Sequence, residues 1–248
     1  MSAGAAEKHG QDHGQEPAPW QLIAMHGWAG DSRAWQPWQA AAERRGWAWG
    51  SGERGYGPLT PRAPEWLPGQ EGAGRRAVMV HSLGLHLLSA AVLQQADAVV
   101  LLASFGRFVP EGPSGRRWRT ALQGMAARLE AGDAQPMLRD FLTKAAAPES
   151  AALLPLGPGL DSSEAINAQR LLHDLRRMET LSGLPTGFPA KARVLIVEAG
   201  QDGVVAPISR LLLRQSLPLA ERWLIETAGH SLLGADLLEP VFDWLERP

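Results

Sequence analysis

The chain has 248 residues, a formal net charge of −2 and no cysteine, and 45% of its residues are hydrophobic. This length and composition predict a sizeable buried core, and the near-neutral charge excludes a strongly basic surface for nucleic acid or an anionic membrane. The lack of cysteine in the sequence excludes disulfide bonds and thiolate metal sites. We therefore expect a cytoplasmic protein that binds neither nucleic acid nor membrane.

The N-terminal segment is small, polar and turn-rich, and we predict that residues 1–19 form a disordered tail. The segment has no apolar stretch of the kind that secretory signals contain. No apolar run elsewhere in the sequence reaches the roughly 18–20 residues that a membrane-spanning helix needs.

After this segment, apolar runs typical of buried strands alternate with apolar periodicities typical of helices. In chain order, the first half predicts a strand at 21–27, a helix at 31–46 capped by Asp31 or Ser32, a short strand running into a Gly-rich loop at 47–57, irregular chain at 58–74, a strand at 75–82, a helix at 82–95 and a strand at 97–105. The C-terminal part predicts strands at 191–202 and 221–230 and helices at 207–217 and 237–248. Because continuous apolar strands alternate with helices, we predict an α/β fold with a mostly parallel sheet of about six strands flanked by helices.

The alternation of strands and helices stops between about residues 110 and 184. This stretch holds helical patterns at 116–132, 134–147 and 162–181, and it holds no convincing strand. We predict a helical cap, or lid, at 110–184, inserted into a core made of residues 20–109 and 185–248. An insertion at this point of the fold lies over the carboxyl ends of the strands, where the active sites of such sheets are found.

The most informative short segment is AVMVHSLGLHLLSA, in which an apolar strand ends at Ser82 and an apolar helical pattern begins. This layout is typical of a nucleophile elbow, a tight turn that holds a serine hydroxyl clear of the backbone at the N-terminus of a helix. Val80 stands where the G-x-S-x-G form of the elbow has its first glycine, whereas Gly84 keeps the second. The alternative interpretation is an ordinary serine that caps a helix after a core strand.

Two further residues complete a possible catalytic set with Ser82. Asp202 follows one predicted strand, and His230 follows the next strand along the chain. The order Ser, Asp, His is that of α/β-hydrolases. In this chemistry His230 would take the proton from Ser82 as general base, and Asp202 would hold the imidazole in the correct tautomer.

The reaction also needs donors for the oxyanion that forms when the serine attacks a carbonyl carbon. The sequence offers two backbone N–H groups, that of Leu83 directly after the serine and that of Trp28 in the loop HGWAG. Gly27 is expected to allow a tight backbone path in this loop.

Several of these motifs resemble those of one known family. The segments HGWAGDSRAW, ERGYG, HSLG, LLASFGRFVP, RDFL, LLHDLRRMETL, GQDGVV and AGHSLL are similar to the corresponding parts of the pimeloyl-acyl-carrier protein methyl ester esterases of biotin synthesis, and the resemblance covers roughly residues 21–247. It implies an α/β-hydrolase fold in which Ser82, Asp202 and His230 are catalytic, and Trp28 and Leu83 stabilise the oxyanion. The implied reaction is hydrolysis of the terminal methyl ester of pimeloyl-acyl-carrier protein to methanol and the free acid.

This substrate fits an apolar pocket, because such a pocket binds a methyl ester and expels the carboxylate product. Aromatic residues expected to line the pocket are Trp28, Phe105, Phe108, Trp118 and Phe141. An acidic carrier protein would meet basic residues of the cap by charge steering. The residues expected to make this contact are Arg116, Arg117, Arg119 and Arg139, with Arg128 nearby; an ordinary solvated basic helix face is the alternative.

Other functions stay open at this point. The same three residues also serve short-chain carboxylesterases, thioesterases and C–C bond hydrolases, and a silent binding protein with this fold is a further alternative. The glycines near 50–57 do not open a helix after a strand, so no phosphate loop is predicted, and no residue cluster has metal-ligand spacing. We therefore expect an enzyme that needs neither cofactor nor metal and works as a monomer.

Overall fold

A computed structural model of the protein describes residues 19–68, 74–155, 157–160, 165–232 and 236–247. Apart from Pro19, the segment predicted to be a disordered tail lies outside the described residues.

The core of the fold is a six-stranded sheet in which every neighbouring pair of strands is parallel. The strands are β1 (Trp20–Met25), β2 (Ala48–Ser51), β3 (Arg75–His81), β4 (Ala98–Leu102), β5 (Arg193–Ala199) and β6 (Glu221–Ile225), and their order across the sheet is β2-β1-β3-β4-β5-β6. The predicted α/β class and the parallel sheet are thus confirmed.

The central strands are apolar along their whole length because both faces of the sheet are covered. In β3, Val78 and Val80 pack on one face, whereas Ala77 and Met79 pack on the other. The register continues each layer across the sheet, since Val78 pairs with a valine of β4 that in turn pairs with a valine of β5. Alternate side chains of the same strands therefore belong to two separate hydrophobic layers, one on each face of the sheet.

Helices cover both faces of the sheet, and three short 3₁₀ turns accompany them. The α-helices are α1 (Gln36–Arg44), α2 (Gly84–Leu87), α3 (Ala90–Leu93), α4 (Arg116–Glu130), α5 (Ala134–Ala146), α6 (Ala168–Thr180), α7 (Pro207–Ser216) and α8 (Leu238–Glu246). Buried side chains of α1 and α8 pack on one face, and buried side chains of α3 and α7 pack on the other. Within the described ranges, none of these helices is long and apolar enough to cross a membrane.

The single helix predicted at 82–95 is wrong, because this segment forms two helices of four residues each. The chain is extended at Leu88, with φ −82° and ψ 149°, and Ser89 then caps α3 by accepting a hydrogen bond from the Val92 N–H. The apolar pattern runs through the break because Leu88 and Leu93 are both buried under the sheet. Burial alone therefore did not distinguish one helix from two.

Between β4 and β5, the described residues form α4, α5 and α6 and contain no named strand. These helices supply most of a third hydrophobic cluster, in which buried residues of α4–α6 pack with Trp28 and Leu83. That cluster lies at the carboxyl ends of the strands, where the predicted site residues are found. The division of the chain into a core and a cap with boundaries at 110 and 184 stays a prediction.

The packing of β4 gives a direct test of this core. Leu101 is fully buried between Val80 and Ile196, whereas Leu219 is 97% exposed. We expect Leu101→Ala to lower the free energy of unfolding by about 2–5 kcal/mol, because the deleted atoms leave a cavity in a layer that cannot collapse. Leu219→Ala removes the same atoms from the surface and should change the free energy of unfolding by less than about 0.5 kcal/mol. Urea unfolding of both variants measures the difference, and equal losses would contradict this packing.

Candidate active site

Three residues that lie far apart in the sequence form a hydrogen-bonded series at the carboxyl ends of β3, β5 and β6. His230 Nε2 lies 2.9 Å from Ser82 Oγ, and His230 Nδ1 lies 2.9 Å from Asp202 Oδ2. Ser82 is 6% exposed and His230 is 2% exposed. The structure therefore brings together the nucleophile, base and acid that the sequence predicted, in the geometry that proton transfer from the serine requires.

The backbone at Ser82 has the conformation expected of an elbow. Its φ is +54°, in the left-handed region that non-glycine residues rarely adopt. Two glycines make this turn possible by close approach. A Cβ added at Gly84 would lie 2.4 Å from the Met25 carbonyl oxygen, and one added at Gly27 would lie 2.9 Å from the Ser82 Cβ. The end of β1 thus passes directly against the turn.

Val80, which replaces the first glycine of the elbow motif, is accommodated in the hydrophobic layer beneath the turn. Its side chain is fully buried and packs in the same layer as Leu85 and Leu88. The helix after the elbow is only one turn long, and the chain leaves the helical path at Leu88. The residue that must lack a side chain at this elbow is Gly84.

Asp202 is held in its ionised form by three contacts. Its Oδ1 accepts hydrogen bonds from the N–H groups of Val204 and Val205, at 2.8 and 2.9 Å, while Oδ2 faces His230. Burial alone would raise the pKa of the carboxyl, but the charge and hydrogen bond of His230 and the two N–H donors lower it below the ordinary value. Asp202 can therefore orient His230 and stabilise its positive charge without taking the proton.

A second histidine, His81, supports the backbone of His230. His81 Nε2 donates to the His230 carbonyl oxygen at 3.0 Å, and the two rings lie 5.1 Å apart. Burial and then the charge of His230 lower the pKa of His81 to about 4. His81 is therefore neutral near pH 7, so it holds His230 in place without adding a competing charge beside it.

The two predicted oxyanion donors lie beside the elbow and keep their N–H groups free. Trp28 is 6% exposed and Leu83 is fully buried. Within the described part of the chain, neither backbone N–H donates to a protein acceptor. The Trp28 indole is fixed separately, because its Nε1 donates to the Leu171 carbonyl oxygen of α6 at 2.9 Å.

A buried polar cluster lies behind the HGWAG loop at residues 26–30. It was not predicted from the sequence. The Asp174 side chain is 0% exposed and accepts hydrogen bonds from Arg54 Nε at 2.5 Å, Arg54 Nη2 at 2.8 Å and the Tyr56 hydroxyl at 2.7 Å. Arg170 Nη1 donates back to the Arg54 carbonyl oxygen at 2.6 Å. These bonds join α6 to the loop after β2. The sequence did carry a signal, since Asp174 lies at helical spacing with the buried residues Leu171, Leu175 and Met178.

The same loop also supports the histidine of HGWAG. His26 Nε2 accepts a hydrogen bond from the Arg54 N–H at 3.1 Å, and Glu53 lies beside it at 3.6 Å. Burial alone would raise the pKa of Glu53, but His26 and the N–H groups of Ser32 and Gly55 lower it to about 2. Through these contacts an ionised Glu53 holds the HGWAG loop against the neighbouring loops.

Two cavities meet the site on opposite sides of Trp28. The first, which we call the serine cavity, has a volume of about 210 Å³. It is lined by Trp28, Ser82, Phe108, Trp118, Ala121, Leu122, Met125, Arg128, Met137, Asp140, Phe141, Lys144, Leu175, Met178 and Val204. Its wall is mostly apolar and is supplied largely by α4, α5 and α6.

The second, which we call the histidine cavity, has a volume of about 260 Å³. His230, His81 and His26 lie in its wall together with Trp35 and Trp38. Trp28 and Phe141 line both cavities and pack edge to face, with ring centroids 4.9 Å apart. This aromatic pair therefore forms a partition between the two spaces.

Four of the five aromatic residues predicted to line a pocket do so, and Phe105 does not. Phe105 is fully buried behind the wall, where it stacks on His86 and packs edge to face on Phe108. His86 Nε2 donates to the Phe105 carbonyl oxygen at 2.8 Å, and burial lowers the pKa of His86 to about 4. Phe105 thus supports Phe108 and is not in a position to touch a ligand in either cavity.

The basic residues of the cap are only partly neutralised. Arg128 pairs with Asp133 and Asp140, each at 2.6 Å, and Arg119 approaches Glu179 at 3.8 Å. Arg116, Arg117 and Arg139 are exposed and make no ion pair with any described residue. Among the residues that the structure describes, no group of three or more histidine or carboxylate side chains is placed to hold a metal ion.

No protein-family model matches the chain, and no curated protein matches its sequence. The structure is similar to that of an esterase from Exiguobacterium antarcticum, at 13% identity over 93% of each chain and a TM-score of 0.68. It is also similar to a hydrolase from Oleispira antarctica, at 10% identity over 95% of this chain and 93% of that one and a TM-score of 0.64. An enol-lactonase from Burkholderia xenovorans LB400 is 20% identical over 96% of this chain and 94% of that one, with a TM-score of 0.57. The chain therefore has the α/β-hydrolase fold.

The buried cluster around Asp174 leads to a testable prediction. We expect Asp174→Asn to lower the free energy of unfolding by about 2–3 kcal/mol, less than the roughly 3–5 kcal/mol typical of a broken buried pair because the Arg54 side chain is 31% exposed. Hydrogen exchange should also become faster in α6 and in the loop that carries Trp28. The exposed Asp243→Asn serves as the matched control and should change neither property. A variant as stable and as protected as the unmodified protein would show that the cluster does not hold α6 to the core.

Proposed function

We propose that the protein is a serine hydrolase that cleaves carboxylic esters. The observation that carries this proposal is the series Ser82–His230–Asp202, with both bonds at 2.9 Å and the serine in a strained elbow. His230 takes the Ser82 proton as Oγ attacks the ester carbonyl carbon, and it then returns that proton to the leaving alcohol. Water repeats the sequence on the acyl-enzyme and releases the acid.

The oxyanion formed in each step is stabilised by the free N–H groups of Trp28 and Leu83. Each such donor typically contributes about 10²–10³ in rate, because it is aimed in advance at the charge that develops. The burial of Ser82 and His230 strengthens these interactions by excluding water. An N–H pair that lacks acceptors elsewhere in the described structure is what an oxyanion site requires, and this supports an active enzyme over a silent binding protein.

For the substrate, we propose the methyl ester of pimeloyl-acyl-carrier protein, hydrolysed to pimeloyl-acyl-carrier protein and methanol in biotin synthesis. The apolar serine cavity supports this proposal, because about five buried methylenes at roughly 0.8 kcal/mol each contribute about 4 kcal/mol of binding. The unpaired Arg116, Arg117 and Arg139 are available to an acidic carrier protein.

One observation favours a second candidate, an esterase or lactonase that acts on larger alcohol groups. The leaving alcohol receives its proton from His230, and the cavity on the His230 side measures about 260 Å³. A water molecule occupies about 30 Å³ in the liquid, so methanol alone would leave most of this space unfilled. The structurally similar enol-lactonase is one enzyme of this wider class.

Covalent labelling tests the nucleophile. A fluorophosphonate probe should label the unmodified protein on Ser82, and Ser82→Ala should abolish the labelling. Loss of the base in His230→Ala should slow it by about 10⁴-fold or more, as for removal of a member of such a triad. Ser104 also follows a strand, but its hydroxyl donates to the carbonyl oxygens of Val80 and Leu102 rather than to a histidine, so Ser104→Ala should label normally. Equal labelling of Ser82→Ala and the unmodified protein would overturn the proposed mechanism.

Substrate preference is tested by comparing esters of one acid. Methyl pimeloyl-acyl-carrier protein should be cleaved to the free pimeloyl form, with a mass loss of one methylene, and Ser82→Ala should not cleave it. In parallel, pimelate esters of methanol, butanol and benzyl alcohol are compared by kcat/KM. Preference for the carrier-bound methyl ester supports the first candidate. Preference for the larger alcohols, with no cleavage of the carrier-bound ester, replaces it by the second.

A further inference from the structure

The serine cavity has one lysine in its wall, and this lysine is an exposed residue. Lys144 lies on α5 and lines the cavity together with Ser82. It makes no hydrogen bond or ion pair with any described residue. The carboxylate nearest to it in sequence among the lining residues, Asp140, is paired with Arg128 at 2.6 Å. Its ammonium group therefore lies at the solvent-exposed edge of a mostly apolar space and has no ion-pair partner among the described residues.

The helix places this lysine toward the cavity by its periodicity. Met137, Asp140, Phe141 and Lys144 all line the cavity, and they follow the i, i+3, i+4, i+7 spacing of a single helix face. Lys144 also approaches the loop of the catalytic acid, since a Cβ added at Gly203 would lie 3.8 Å from its Cε. The end of the aliphatic stem thus lies close to that loop.

The electrostatic surroundings of Lys144 favour an added anion. Burial lowers its pKa, and the positive charge of Arg117 lowers it further, while Asp202 acts in the opposite direction. Arg117 also makes no ion pair with a described residue, and its guanidinium lies 5.6 Å from the centre of the Trp118 ring in the cavity wall. Arg117 and Lys144 repel each other, and a bound anion would relieve that repulsion.

We propose that Lys144 forms an anion subsite of the serine cavity and selects esters whose acyl portion carries a negatively charged oxygen group. The proposal rests on the serine esterase function proposed above and adds a specificity residue to it. The anionic group is either a carboxylate on the acyl chain or a phosphate on an arm that carries the chain. In both cases Lys144 donates a charge-assisted hydrogen bond to an oxygen of that group, and the apolar part of the chain lies along Phe141 and Met137.

The test compares matched 4-nitrophenyl esters that differ only at the far end of the acyl chain. One chain ends in a methyl group, one in a carboxylate and one in a phosphate monoester. For the charged substrate that fits, Lys144→Met should lower kcat/KM by about tenfold, as expected for loss of one hydrogen bond to a charged group. Lys144→Arg should restore part of this loss. The methyl-terminated ester should change by less than about twofold.

The chain offers a matched control for the change in net charge. Lys191 is exposed and is not part of either cavity wall, so Lys191→Met removes the same charge at a distance from the site. Its kinetics should match those of the unmodified protein for all three esters. Fluorophosphonate labelling, which needs no acyl anion, should proceed at the same rate in Lys144→Met and thereby show that the fold and the nucleophile are intact.

The outcomes separate the two anions and the two proposals. A selective loss with the carboxylate ester assigns the subsite to half-esters of dicarboxylic acids, and a selective loss with the phosphate ester assigns it to a phosphate-bearing arm. Equal losses on charged and neutral esters, no loss on any ester, or the same effect from Lys191→Met would overturn the subsite. Failure of the unmodified protein to cleave any of the esters, together with absence of labelling, would instead overturn the esterase function.

Discussion

The site depends on the close approach of two backbone segments at the ends of β1 and β3. Gly84 and Gly27 leave no room for a Cβ, because the Met25 carbonyl oxygen and the Ser82 side chain occupy that space. The approach sets the left-handed turn at Ser82 and places the loop that carries Trp28 next to the serine hydroxyl. The Trp28 N–H, one of the two proposed oxyanion donors, is carried by this loop and therefore depends on the same approach.

Much of the fold could be predicted from the sequence because its signals were local. Strands such as β4 (Ala98–Leu102) are short, continuous apolar runs, and a parallel sheet buried on both faces produces that pattern directly. Ser82, Asp202 and His230 could be selected together because each follows such a strand and their order along the chain is informative. The exact strand bounds and the pairing order required the structure.

The remaining features depend on contacts between distant parts of the chain. The break between the two helices at Leu88 could not be predicted, because the Leu88 side chain is buried and the apolar pattern of the sequence continues through the break. The position of Phe105 behind the cavity wall could not be predicted, because Phe108, which does line the serine cavity, is the same residue type only three positions away. The spacing within α6 indicates that Asp174 is buried, but it does not reveal that Arg54 and Tyr56 of the loop after β2 are its partners.

Trp28 combines two functions that respond differently to substitution. Its backbone N–H is the proposed oxyanion donor, which any residue except proline supplies, whereas its indole forms the partition between the cavities and is anchored on α6. Phe141, its partner in the partition, has no such anchor and lies on a separate helix. In the proposed reaction the acyl group occupies the serine cavity and the alcohol group the histidine cavity. A change of size at Phe141 would then redistribute volume between the two cavities and leave the proposed catalytic residues in place. In this aromatic contact Trp28 belongs to the proposed catalytic geometry, whereas Phe141 can set the proposed substrate range.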